Sequence, residues 1–61
     1  NPSSGIFEVP VVCYGQAFEV RNQDGKVVLM GTLAHQLDLS SFPAGTYFLS
    51  VGRQQFKLLK N

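Results

Sequence analysis

His35 is the only imidazole in this chain of 61 residues, and Cys13 is its only thiol. A structural zinc site needs a full set of such ligands, so one of each holds no metal, and His35 reads as a surface loop residue. The carboxylates are Glu8, Glu19, Asp24 and Asp38. General acid–base work needs two of them facing each other with their pKa values pushed apart. Glu8 and Glu19 fall at outward positions of extended segments, and Asp24 and Asp38 fall in turns, so no such pair forms. Ser3, Ser4, Ser40 and Ser41 lie outside any Gly-x-Ser-x-Gly elbow and read as turn and cap residues. The glycines are scattered one to a turn and make no phosphate loop. Cys13 has no disulfide partner and reads as a small, half-buried side chain. These residues point to no enzyme and no cofactor.

Bulk properties narrow the class. The formal charge of +1 creates no field that would draw nucleic acid. An apolar fraction of 44% is that of a folded domain rather than a disordered one. The longest apolar runs, such as Val27 to Met30, are far too short to span a membrane. A chain of this size buries only about 60% of its unfolded surface, so its stability is marginal. There is no initiator methionine and no charged-then-apolar leader, which suggests a piece from the end of a longer polypeptide.

No window keeps a helical period. Leu29, Leu33 and Leu37 are spaced by four, but Gly31 and Thr32 break the run. The chain instead shows short strands parted by turn clusters, the all-β signature. Ile6 to Val9 is predicted as the first strand, with Phe7 and Val9 on one face, and Pro10 ends its pairing. Val11 to Tyr14 is a second short strand, closed by Gly15. Ala17 to Arg21 alternates with Phe18 and Val20 inward. Asn22-Gln23-Asp24-Gly25 is a hairpin turn, with Gly25 in the left-handed position. Lys26 to Leu33 returns antiparallel, and Gln36 to Leu39 is a brief strand. Thr46 to Val51 then pairs through Gly52-Arg53 with Gln54 to Leu59. Six to seven short strands make a small immunoglobulin-like antiparallel β-sandwich. The predicted core is Phe7, Val9, Phe18, Val20, Val28, Met30, Leu37, Leu39, Tyr47, Leu49, Val51, Phe56 and Leu58.

The most telling stretch runs from Asp38 to Val51. Asp38 and Ser40 can bond their own backbone a residue or two on, which turns the chain. Pro43 stops the strand, Gly45 supplies a positive φ, and a β-rich segment bearing Tyr47 follows. A tyrosine just past such a bend suits the tyrosine corner, in which the hydroxyl bonds back to upstream backbone.

Four pieces in order, Asn1-Pro2-Ser3-Ser4-Gly5, Asp24-Gly25, Asp38-Leu39-Ser40 … Gly45-Thr46-Tyr47 … Val51, and a last strand with Lys57 and Lys60, closely resemble the C-terminal sorting domain of the type IX secretion system, type A. That family has an Asn-Pro-x-x-Gly opening and an Asp-Leu-Ser-x-Leu-x-x-Gly-x-Tyr-x-x-x-Val core. Phe42 stands where the family usually has leucine. The resemblance spans nearly the whole chain. It implies one sorting domain over residues 1–61, with 1–5 as the junction to the cargo linker. It also implies a sorting motif of Asn1, Pro2, Gly5, Asp24, Gly25, Asp38, Leu39, Ser40, Gly45, Tyr47, Val51, Lys57 and Lys60. Most of these are expected to determine the fold. Lys57 and Lys60 either guard an open sheet edge or are read by a secretion receptor.

The resemblance further implies a parent protein that reaches the periplasm through its own N-terminal signal. The sorting domain then directs it, by way of shuttle proteins and an outer-membrane translocon, to the cell surface or the medium. In that family a surface sortase of the cysteine-protease type usually removes the domain and often joins the fused N-terminal cargo to an anionic lipopolysaccharide. The receptor surface is expected on the final hairpin and exposed loops, with docking by strand addition to an open edge. Such an edge can also pair two copies as a dimer. The alternative is a fibronectin type III or immunoglobulin-like adhesive or spacer module, although that fold runs to about 100 residues.

Overall fold

The computed structural model describes residues 2–3 and 5–61, the first two by their backbone alone. Seven strands make two layers. They are β1 (Pro2–Ser3), β2 (Ile6–Glu8), β3 (Ala17–Arg21), β4 (Val27–Thr32), β5 (Gln36–Asp38), β6 (Gly45–Val51) and β7 (Gln54–Lys60). One sheet has the order β1-β7-β6-β3-β4, and the other is the pair β2-β5. Every pairing is antiparallel except β1 with β7, which is parallel. The expected all-β sandwich is present, and β1 adds a parallel pairing that the sequence reading lacked.

The core forms where the inner faces meet. Along β6 the alternation sends Tyr47, Leu49 and Val51 inward, and all three are buried. Val20 of β3 lies opposite Leu49 and is fully buried. Leu37 of β5 and Leu39 just beyond it close the core from the second layer. Phe7, Val9, Phe18, Val28, Leu29, Phe42 and Leu58 pack around this centre. Burying one such aliphatic side chain contributes roughly 1.5–3 kcal/mol, a large share of what so small a domain has.

Four expectations need correction. Val11 to Tyr14 is not a strand but a turn of 3-10 helix over Val11–Cys13. The Cys13 N–H bonds the Pro10 carbonyl at 2.9 Å and the Tyr14 N–H bonds Val11 at 3.1 Å. Pro10 and Gly15 bracket a stretch that must cross between the layers, and it turns inward only Cys13, which is buried. Met30 is not core: it is 64% exposed. A bulge between Val20 and Arg21 pairs them with Leu29 and Val27, leaving Val28 as the extra residue. The alternation beyond it is thereby reversed, so that Leu29 faces the core and Met30, opposite Glu19, faces out. Phe56 is on the inner face opposite Leu49 yet 42% exposed, because two strands cannot cover the inner side of five. Leu33 was not expected in the core and is buried. Its N–H bonds Gln16 at 2.9 Å and its carbonyl accepts from Gly15 at 2.8 Å, which turns it in as β4 ends.

Candidate functional site

The bend between β5 and β6 gathers six of the sequence-predicted residues, Gly5, Asp38, Leu39, Ser40, Gly45 and Tyr47. One carboxylate oxygen of Asp38 accepts from the Ser40 N–H at 2.8 Å and from the Ser40 hydroxyl at 2.6 Å. Hydrogen bonds to the charged form favour it, so the Ser40 hydroxyl and then the Ser40 N–H hold the Asp38 carboxyl below its ordinary value. Leu39 points the other way and is fully buried. Its N–H bonds the Gly5 carbonyl at 2.7 Å, and its own carbonyl accepts from Phe42 at 3.0 Å. Three residues thus shape the bend outside, anchor it inside and tie it to the opening segment.

Gly5 explains the spacing of that opening. Its φ is +124°, and a Cβ there would stand 2.6 Å from the Ser40 Cα and 3.0 Å from the Lys60 Cε. Only glycine lets the two backbones approach so closely. Below the bend, Gly45 has φ +149° and pairs with Lys60. Tyr47, 5% exposed, donates its hydroxyl to the Pro43 carbonyl at 2.5 Å, and its ring lies 6.2 Å from that of Phe42. This is the tyrosine corner the spacing predicts. The sequence reading names Pro43 as a strand breaker and not as the acceptor, for which a proline four residues before the tyrosine is the available signal.

The remaining predicted residues lie apart. Asp24 and Gly25 sit in the β3–β4 turn, where Gly25 has φ +83°. Asn22, which the sequence reading places in the turn without a role of its own, holds it together. Its side-chain oxygen accepts from Asp24 N–H and Lys26 N–H, both at 3.0 Å, while the Asp24 side chain is exposed. Val51 is buried beside Leu49. Pro2 belongs to β1, and Asn1 lies outside the described residues. His35 is exposed between β4 and β5. Among the described residues no group of His, Cys, Asp or Glu is placed to hold a metal ion, and no helix is long and apolar enough to cross a membrane.

The β6–β7 hairpin shows two further features. Its outer face presents Gln55, Lys57 and Leu59 on β7 opposite Ser50, Phe48 and Thr46 on β6, and among the described residues no layer covers it. Among the described residues its outer edge is unpaired over Gln54–Leu58, since β1 meets Leu59 and Lys60. Beside that edge, between β7 and β2, runs an open apolar groove of about 240 Å³, lined by Phe7, Val9, Cys13, Leu49, Phe56 and Leu58 among others.

A family model described as "Secretion system C-terminal sorting domain" matches residues 1–61. Comparison with curated proteins and with solved structures yields no match.

Proposed function

Because this chain belongs to the secretion system C-terminal sorting domain family, the tails that mark proteins for type IX secretion, we propose that its address is the outer face of the final hairpin. A sorting tail serves export to the cell surface or the medium and works with the secretion machinery on a fused cargo. To act on unrelated cargoes it must present one constant surface. The observation that carries the reading is how the motif residues are spent. Gly5, Asp38, Leu39, Ser40, Gly45, Tyr47 and Val51 are used up in holding the bend and the core. Lys57 instead stands exposed on an uncovered face, between Gln55 and Leu59 on its own strand and opposite Phe48. A cation with apolar Leu59 and Phe48 on one side and the Gln55 amide on the other suits a receptor patch that sets a carboxylate beside an apolar surface.

In this reading the parent enters the periplasm through a separate N-terminal signal, and an outer-membrane translocon or its shuttle protein takes hold of the hairpin. A surface sortase cuts at or before Asn1, and the domain itself performs no chemistry. The test fuses residues 1–61 to a periplasmic reporter bearing its own export signal, in a host with the type IX machinery. The reporter should reach the surface, and Lys57→Glu with Leu59→Glu should retain it in the periplasm while the melting curve stays cooperative. A reporter that never leaves the periplasm removes the sorting role and leaves a spacer module. Full delivery of the double variant removes the hairpin face.

A further inference from the structure

We propose that the open edge of β7 receives an extended strand of a partner protein, acidic where that strand faces outward and apolar where it faces the groove. This rests on the sorting reading, which supplies a secretion machinery that must hold the tail. The edge comes first. The turn at Gly52–Arg53 sets Val51 and Gln54 as partners. A two-residue turn makes its flanking pair hydrogen-bonded, so the alternation turns the N–H and C=O groups of Gln55 and Lys57 toward the edge. Among the described residues no strand meets them, because β1 pairs with Leu59 and Lys60. A strand laid along Gln54–Leu58 satisfies these backbone groups together, which is the basis of recognition by strand addition.

The side chains then define the occupant. Residues opposite each other on neighbouring strands point to the same face. A residue opposite Phe56 therefore points inward, to the groove of about 240 Å³ where that ring is left 42% exposed. Val9, Cys13 and Leu58 also line this groove, so an aliphatic side chain suits it. Glu8 stands at the same groove and repels a carboxylate from it. Residues opposite Gln55 and Lys57 point outward, where Lys57 is exposed. A carboxylate there meets the ammonium group from a strand about 4.8 Å away. The same charge rejects a second copy of this chain, which brings its own Lys57 to the edge. The edge thus chooses its partner by charge, closed to itself and open to an acidic strand.

Amide hydrogen exchange on the 61-residue chain tests this with a synthetic peptide, Thr-Val-Glu-Leu-Glu-Val-Thr. Laid with its leucine opposite Phe56, the peptide sets glutamates opposite Gln55 and Lys57 in either strand direction. At saturation it should slow exchange at Gln55 and Lys57 by at least about tenfold. The same peptide with lysines for its glutamates should bind about fivefold more weakly, and Lys57→Glu should reverse that preference. Unchanged exchange at Gln55 and Lys57, or equal binding of the two peptides, overturns the proposal. Protection that instead grows with chain concentration, with no peptide present, gives the edge to a second copy and also overturns it. Delivery of the reporter is scored separately. Gln55→Pro removes an edge donor and should abolish both peptide binding and delivery; delivery by a variant that no longer binds the peptide overturns the proposal. Peptide binding by a wild-type chain whose reporter stays in the periplasm removes only the sorting role.

Discussion

The Tyr47 hydroxyl donates to the Pro43 carbonyl inside a bend that the surrounding chain cannot close by strand pairing, since proline stops the ladder. Removing the hydroxyl leaves that carbonyl without its partner. Tyr47→Phe should cost about 1 kcal/mol, lowering the melting temperature by about 4–8 °C, and thermal unfolding checks it. Asp38 makes a different kind of contribution. Its carboxyl is held below the ordinary value by the two bonds from Ser40, so the charged form is favoured on folding. The stabilisation is therefore present above the unfolded pKa and is lost as pH falls through the lower folded value. Melting temperatures of the wild type and of Asp38→Ala should differ most near neutral pH. That difference should shrink below about pH 4, where the unfolded carboxylate protonates. A gap that widens on acidification would contradict the assignment.

Strand β4 shows how one extra residue redirects a whole element. Simple alternation from Val28 puts Met30 in the core. The bulge at Val28 gives that place to Leu29, opposite Val20, and sends Met30 to the surface. The two neighbours should then respond in opposite ways. Met30→Glu should stay within about 0.5 kcal/mol of the wild type. Leu29→Glu puts a carboxylate against fully buried Val20 and should unfold a domain whose margin is about 5 kcal/mol or less. Urea denaturation of the pair decides between the registers. Beyond the bulge Gly31 lies opposite Phe18, whose ring would be in ordinary van der Waals contact, at 3.5 Å, with a Cβ there.

Taken as a molecule, the sandwich is lopsided, with five strands facing two. Among the described residues the larger sheet ends in two open edges, β4 and most of β7. Open edges recruit other chains unless charge blocks them. Lys57 lies within the open part of β7 and is exposed. Lys57→Val should therefore promote concentration-dependent association of the isolated domain, seen by light scattering, while Lys26→Val in the β3–β4 turn should not. A variant that stays monomeric at high concentration would mean that lysine is not the guard. Guarding and recognition are compatible, since the same ammonium group can repel a second copy and meet a carboxylate on a receptor.

Much of this was legible along the chain because the signals are local. Asp38 and Ser40, Asn22 and Gly25, and Pro43 with Tyr47 each act within a few residues, so turn chemistry alone located the bend and both hairpins. The resemblance to sorting domains rode on those same residues, which is why it survived a swap such as Phe42. What no local signal carries is the pairing of distant backbones. The parallel contact of Pro2–Ser3 with the end of β7, the reversed phase of β4 and the bareness of Phe56 are set by which strands meet and how many stand on each side. A bulge costs little locally and changes every contact beyond it, and burial depends on layers contributed by the whole fold. Only the assembled tertiary structure decides those.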